Sequence, residues 1–372
     1  MRMVFHLPQR IGVNGRSASG IRPVKMMEAF RKIGYQVDII SGSSYQRKIA
    51  IKKIKMQMRS GVVYDFVYSE SSTMPTALTD VHHLPVRPFL DFGFFRFCRR
   101  LNVPVLLFYR DIYWRFPNYG RELSFIRRKG AMIFYWLDLL QYRMAVNLLF
   151  LPSLRMRPYV PVFPKRKMRE LPPGCIIKEK ETANYRKSSE FRILYVGGVG
   201  AHYRLDILIG AIAKISGAEL VICTRIEEWA KFMESNPHRS VPKNVKIVHS
   251  TGMELERLYE DIDICSLVVE PQEYWSFAAP MKLFEYIGHG KPVIASRGTF
   301  AGDFVMEQDI GWTVSYDIDS VTDMLNHLIV VRESVDSKAE NATRVAMAHT
   351  WNERAHRVAI SAAKERSLRS PK

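Results

Sequence analysis

The chain has 372 residues, about twice the length of a typical single domain, so two domains are expected. With 47% hydrophobic and 25% charged residues it can fill real cores, which excludes wholesale disorder. Its formal charge of +18 is uneven: residues 1–185 hold 32 Lys+Arg against 12 Asp+Glu, a net +20, and residues 186–372 hold 23 against 25, a net −2.

In chain order, MVFHL (3–7) reads as a buried strand, followed by the small-residue loop GVNGRSASG (12–20). The next stretch, IRPVKMMEAFRKIGY, places Val24, Met27, Ala29, Phe30 and Ile33 at mainly helical spacing, and Gly34 closes it. Strand 36–41, a basic helix 46–60 ended by Gly61, strand 64–70, helix 87–101 and strand 103–109 follow. A long helix 122–145 precedes strand 146–152. From 153 to 190 the pattern dissolves into Pro-rich and charged sequence, which places the domain boundary near 185. Alternation then resumes: strand 191–198, helix 205–216, strand 218–224, helix 226–235, strand 245–249, helix 253–260, strand 263–269 and helix 280–289. Strands 291–296 and 311–316 and helices near 319–333 and 337–366 close the chain. Such alternation predicts an α/β protein of two Rossmann-like, doubly wound domains, 1–185 and 186–372, facing a cleft. The last helix is a candidate to cross back to the first domain.

Cys98, Cys175, Cys223 and Cys265 are scattered with no CxxC pair, which fits a reducing cytoplasm and argues against a cysteine-rich zinc site. The N-terminus is interrupted by Pro8 and Arg10 and does not read as a secretory signal. The greasiest stretch, 131–152, is broken by Asp138, Gln141 and Arg143, whereas a bilayer span needs about 20 nearly uncharged residues. The basic first half, with interleaved aromatics, points to a polyanionic partner. An anionic membrane surface fits better than nucleic acid, because no nucleic-acid-binding module is evident.

The densest chemical signal is YWSFAAPMKLFEYIGHGKPVIAS (274–296). Pro280 suits a helix start, and Gly288 and Gly290 end it. Lys282 and Glu285, three apart, share one helix face. The amides of Ala278, Ala279 and the first turn have no intrahelical acceptor and can bind phosphate, while a carboxylate one turn further in can accept from ribose hydroxyls. Together these read as a nucleoside-diphosphate site; an ordinary surface Lys–Glu pair is the bland alternative.

This segment resembles the donor-site motif of GT-B glycosyltransferases of family 4 (glycosyltransferase group 1), over most of residues 190–335. The resemblance implies that Glu285 binds ribose and that Lys282 faces a phosphate or the sugar. Phe277 stands where the family has a first acid, with Glu270 and Glu273 nearby. In YVGGVGAHYRLDILIGA (195–211), Gly197 and Gly198 form the glycine turn, Gly198 standing at the family's diphosphate-clamping Arg. Tyr203 and Arg204 replace its Lys-Gly pair. Arg204, Lys282 and Arg225 are therefore the candidate clamps. The loop with Gly12, Gly15 and Gly20 resembles the family's first glycine loop, with Arg16 and Arg22 as further cations. Acceptor-side candidates at strand ends are Asp111, then Glu70; His82-His83 reads as a turn.

The implied activity is transfer of a sugar from a UDP- or GDP-type nucleotide sugar to a saccharide acceptor, with retention and without a metal or other cofactor. The charge suggests a lipid-linked acceptor in bacterial-type surface polysaccharide or lipopolysaccharide synthesis, met by a cytoplasmic protein peripheral to the membrane. Arg225, Glu273 and Trp275 are expected to shape donor choice. The alternatives are a GT-B-shaped sugar-nucleotide epimerase or phosphorylase, and a catalytically inactive partner subunit.

Overall fold

The computed structural model describes residues 1–12, 18–178, 190–200, 203–235 and 240–368. Two compact units divide the chain: Met1–Pro173 with Trp351–Lys372, and Gly174–Thr350. The boundary expected near 185 lies outside the described residues.

In the first unit, β1 (Arg2–His6), α1 (Ala18–Lys32), β2 (Gln36–Ile40), α2 (Ser44–Arg59) and β3 (Phe66–Glu70) alternate as the apolar periodicity requires. They continue through α3 (Leu90–Arg100), β4 (Val105–Phe108), α4 (Phe125–Ala145), β5 (Leu148–Leu151) and β6 (Met168–Glu170). The six strands form one parallel sheet in the order β2-β1-β3-β4-β5-β6. Because helices cover both faces, β3, β4 and β5 are buried at every residue. β6 lies in the stretch read as irregular. Its three residues, MRE, carry no apolar run, and pairing of Met168 with Leu149 defines the strand. Ser43 caps α2 in a reciprocal capping box with Gln46.

The second unit runs β7 (Phe191–Val196), α5 (Asp206–Ile212), β8 (Ala218–Cys223), α6 (Ile226–Glu234), β9 (Val245–Val248) and α7 (Met253–Glu260). It continues through β10 (Ile264–Leu267), α8 (Met281–Gly288), β11 (Val293–Ser296), α9 (Phe300–Glu307), β12 (Gly311–Val314), α10 (Ile318–Val330) and α11 (Arg332–Met347). Its parallel sheet has the order β12-β11-β10-β7-β8-β9. Successive residues of β7 feed opposite cores: Ile193 and Tyr195 pack with Leu208 and Ile212, and Leu194 packs with Leu283 and Phe284. α9 is a helix that periodicity did not reveal. Its first turn contains Gly302, and the Thr299 hydroxyl caps it by accepting the Gly302 amide at 3.0 Å.

The helix expected over 337–366 is two helices, α11 and α12 (Trp351–Ser367), separated at 348–350 where the chain leaves the second unit. α12 packs on α1 within the first unit, and the buried Arg354 guanidinium donates to the Pro172 and Pro173 carbonyls at 3.0–3.1 Å. Among the described residues, no helix is long and apolar enough to cross a membrane.

Candidate donor site

β7 ends at Val196 and the chain turns through Gly197, whose amide donates to the Cys223 carbonyl at 2.8 Å. Gly197 has φ +136°, a conformation that side-chain-bearing residues rarely adopt. Its missing side chain also makes room, because a Cβ here would overlap Cε and Nζ of Lys282. The Lys282 ammonium thus lies against the glycine turn, brought there by the first turn of α8. It donates to the Tyr195 hydroxyl at 2.7 Å, and that hydroxyl in turn donates to the Gly198 carbonyl at 2.6 Å. The Tyr195 and Tyr203 rings lie 4.2 and 4.0 Å from the ammonium, so it is held on aromatic faces. Burial pulls its pKa down to about 7, against the opposing pull of Glu285 and Glu228.

Gly198 is closely walled as well: a Cβ would stand 2.9 Å from a Glu228 carboxylate oxygen and 3.2 Å from the Tyr203 ring. Glu228 pairs with Arg225 at 3.0 Å. Pro280 is the N-cap of α8, and no side chain caps the helix. The amides of Met281 and Lys282 belong to its first turn and have no intrahelical acceptor. Glu285 follows one turn on, its carboxylate accepting from the Tyr259 hydroxyl at 3.2 Å. Burial raises the Glu285 pKa, opposed by that hydrogen bond and by Lys282. Gly197, Gly198, Lys282 and Glu285 therefore gather around one strand end and one helix start.

Several expected residues sit differently. The Ala278 amide donates to the Tyr274 carbonyl at 3.1 Å, which removes it from the phosphate-binding set, and Ala279 packs against the apolar core. Arg204 is exposed, at φ +34°, and its guanidinium pairs with Glu270 at 3.3 Å rather than lying on the glycine turn. Arg225 is exposed and Glu273 lies exposed in a short 3-10 turn, Glu273–Ser276. Gly15 lies outside the described residues, as does Arg16. Sequence reading missed Tyr195 and Glu228, and it assigned no role to the Tyr203 ring. Each contributes a geometry, ring over ammonium or carboxylate beside glycine, that no spacing rule encodes.

In the first unit, Glu70 ends β3 fully buried. Arg110 meets its carboxylate at 3.0 Å, Arg22 at 3.4 Å, and the Tyr68 hydroxyl donates to it at 3.0 Å. A carboxylate so neutralised and enclosed is a poor general base, which corrects the expectation for Glu70. Arg22 is likewise committed: only 3% exposed, it stacks on the Phe108 ring at 3.6 Å and donates to the Leu171 carbonyl. That corrects its expected role at the diphosphate, since the guanidinium is enclosed within the first unit. Asp111, just past β4, is half-buried and accepts the Tyr113 amide at 2.8 Å. His82 and His83 stand exposed in a turn: His82 Nδ1 accepts the Leu84 amide, and His83 Nδ1 bonds the Leu78 carbonyl. Among the described residues, no group of three or more His, Cys, Asp or Glu is gathered for a metal ion.

Residues 190–330 match the family model of the glycosyl transferases group 1, bearing out the resemblance over that segment. A comparison with curated proteins finds no sequence match. Solved structures match over nearly the whole chain. A glycosyltransferase from Rickettsia africae ESF-5 has a TM-score of 0.69 at 12% identity, covering 100% of this chain and 99% of that one. Anabaena HepE in complex with UDP has a TM-score of 0.65 at 12% identity, covering 98% and 100%. WaaG, a glycosyltransferase involved in lipopolysaccharide biosynthesis, has a TM-score of 0.57 at 13% identity, covering 96% and 98%. The fold is GT-B, two six-stranded parallel sheets with flanking helices.

Proposed function

We propose that the chain is a glycosyltransferase that takes its sugar from a nucleoside diphosphate sugar of the UDP or GDP type. One observation carries this reading: the Lys282 ammonium lies on the glycine turn after β7, beside the uncapped start of α8, with Glu285 one turn on. A pyrophosphate fits that chemistry. The first-turn amides and the helix dipole meet its oxygens, and Lys282 meets the charge that grows on the leaving group as the glycosidic bond breaks. Glu285 would accept from the ribose hydroxyls, exchanging its bond from Tyr259. The match of residues 190–330 to group 1, and the UDP bound by HepE, support the same assignment.

On the acceptor side, Asp111 is the carboxylate we assign to orient or deprotonate a sugar hydroxyl, since Glu70 is neutralised by two arginines. Retention of configuration and catalysis without a metal are carried over from the family resemblance. The strongly basic first unit favours an acceptor on a lipid diphosphate, as in surface polysaccharide or lipopolysaccharide assembly, and lipopolysaccharide biosynthesis is the process named for WaaG.

Thermal shift against a panel of nucleoside diphosphates and their sugars tests the donor site. A true ligand at about 100 times Kd stabilises by about 2.7 kcal/mol. Gly197→Ala, which drives a methyl into Lys282, is expected to abolish the shift while the protein still melts cooperatively. A flat panel for the unaltered protein would overturn the reading. Conversion of the donor into an epimeric nucleotide sugar without any acceptor would replace transfer by epimerisation.

A further inference from the structure

The charges gathered at Glu70 do not sum to zero. Arg22 comes from α1 and Arg110 from just past β4, the strand whose Phe108 pairs with Glu70 in the sheet. The Glu70 side chain is fully buried, and those of Arg22 and Arg110 are 4% and 11% exposed. One carboxylate against two guanidiniums leaves a surplus positive charge where charges are normally paired. Hydrogen bonding shows the same shortage of acceptors, since Nε and Nη1 of Arg22 are buried with no hydrogen-bond partner. Arg22 is closed in by the Phe108 ring at 3.6 Å and the Trp351 ring at 5.7 Å. Arg110 is the member that reaches the surface. Its Nη2 donates to Glu70 at 3.0 Å and its Nε to the Ser71 carbonyl at 3.2 Å, which fixes the guanidinium plane and leaves Nη1 uncommitted. The next residue, Asp111, spends its carboxylate on the Tyr113 amide, and Arg110 pairs with Glu70 instead.

We infer that Arg110 selects an acceptor saccharide bearing an anionic group, a carboxylate or a phosphate, on the sugar that Asp111 meets. The inference rests on the reading of Asp111 as the acceptor-side carboxylate. A guanidinium is a planar fork of donors that matches either anion, and the surplus charge beside Glu70 is the charge such an anion would neutralise. Because Glu70 and Ser71 already hold the fork in place, little side-chain freedom is lost when the anion arrives. The setting also suits a small polar ligand. Tyr113, Phe116 and Tyr119 follow in the same loop as half-buried rings, and binding surfaces of this kind combine aromatic walls with a few fixed polar groups. Position agrees as well, since Arg110 and Asp111 lie outside the carboxyl end of a parallel strand.

Ligand-observed NMR titration of the full chain tests this with glucuronate, glucose 6-phosphate, glucose and inorganic phosphate as probes. At least one of the two anionic sugars is expected to bind about tenfold or more tightly than glucose, and the sugar that binds identifies the anion as carboxylate or phosphate. Arg110→Gln, which can still donate to Glu70, should lose that preference while keeping its response to nucleoside diphosphates. Arg110→Lys keeps a cation without the fork and should retain only part of the preference. Equal binding of glucose and both anionic sugars by the unaltered protein would overturn the proposal, whether or not the variants fold. So would a preference that survives in Arg110→Gln, or inorganic phosphate binding as tightly as either anionic sugar, since no saccharide would then be recognised. None of the probes carries a nucleotide, so a flat nucleoside diphosphate panel beside an intact preference would count against the donor site alone.

Discussion

Gly197 and Lys282 constitute one feature, since the atom absent from the first is the space taken by the second. The ammonium in that space is desolvated, and its pKa of about 7 leaves it partly neutral near neutral pH. A diphosphate favours the charged form, so binding above pH 7 must draw a proton from solution. Donor affinity is therefore expected to fall about tenfold per pH unit above 7. Calorimetry in buffers of different ionisation enthalpy should register the proton uptake. Lys282→Ala should bind weakly with a flat pH profile, and a sloped profile in that variant would assign the titration elsewhere. The family resemblance implied clamping positions at Gly198, Tyr203 and Arg204. That a cation from α8 rests on the Tyr203 ring was not, because ring-to-ammonium contact depends on how two elements pack.

At the scale of elements, α4 holds a buried acid. Asp138 accepts the Thr76 amide at 2.8 Å and so anchors the 3-10 turn Thr76–Leu78 to the helix. Burial lifts its pKa from 3.8 to about 7, with the Thr76 hydrogen bonds pulling the other way. The native state then binds more protons than the unfolded chain between those values. Stability from this group is full at low pH and is lost as pH rises through about 7. Asp138→Asn is expected to flatten the fall in melting temperature between pH 4 and 7 and to raise it at pH 8. A steeper fall in the variant would contradict the assignment. Strands and helices with strong apolar periods were legible to within a few residues. β6 and α9 were not, since a three-residue charged edge strand and an eight-residue helix with glycine in its first turn are defined by their partners.

The whole molecule divides charge more sharply than the linear halves suggest. With α12 counted where it packs, the first unit carries 36 Lys+Arg against 12 Asp+Glu and the second 19 against 25, or +24 and −6. Arg354 anchors α12 in that first unit through two buried proline carbonyls. Arg354→Met leaves both carbonyls without a donor and should cost about 2 kcal/mol. Hydrogen exchange should show lost protection in peptides of Met1–Pro173 and none in Gly174–Thr350. Equal loss across both would mean that the units do not unfold separately.

The class of fold was legible in the sequence, and so was the stretch proposed here to hold a nucleotide. Strand–helix alternation, glycine turns and helix starts are local, and each is written within a few consecutive residues. Tertiary structure decided which charges are available. Glu70 and Arg22 looked free at a strand end and in a helix but neutralise each other within 3.4 Å, whereas Lys282 and Glu285 gained a desolvated setting. The physical reason is that a side chain's chemistry is set by its burial and its partners. Those partners come from distant parts of the chain, which only the packed fold brings together.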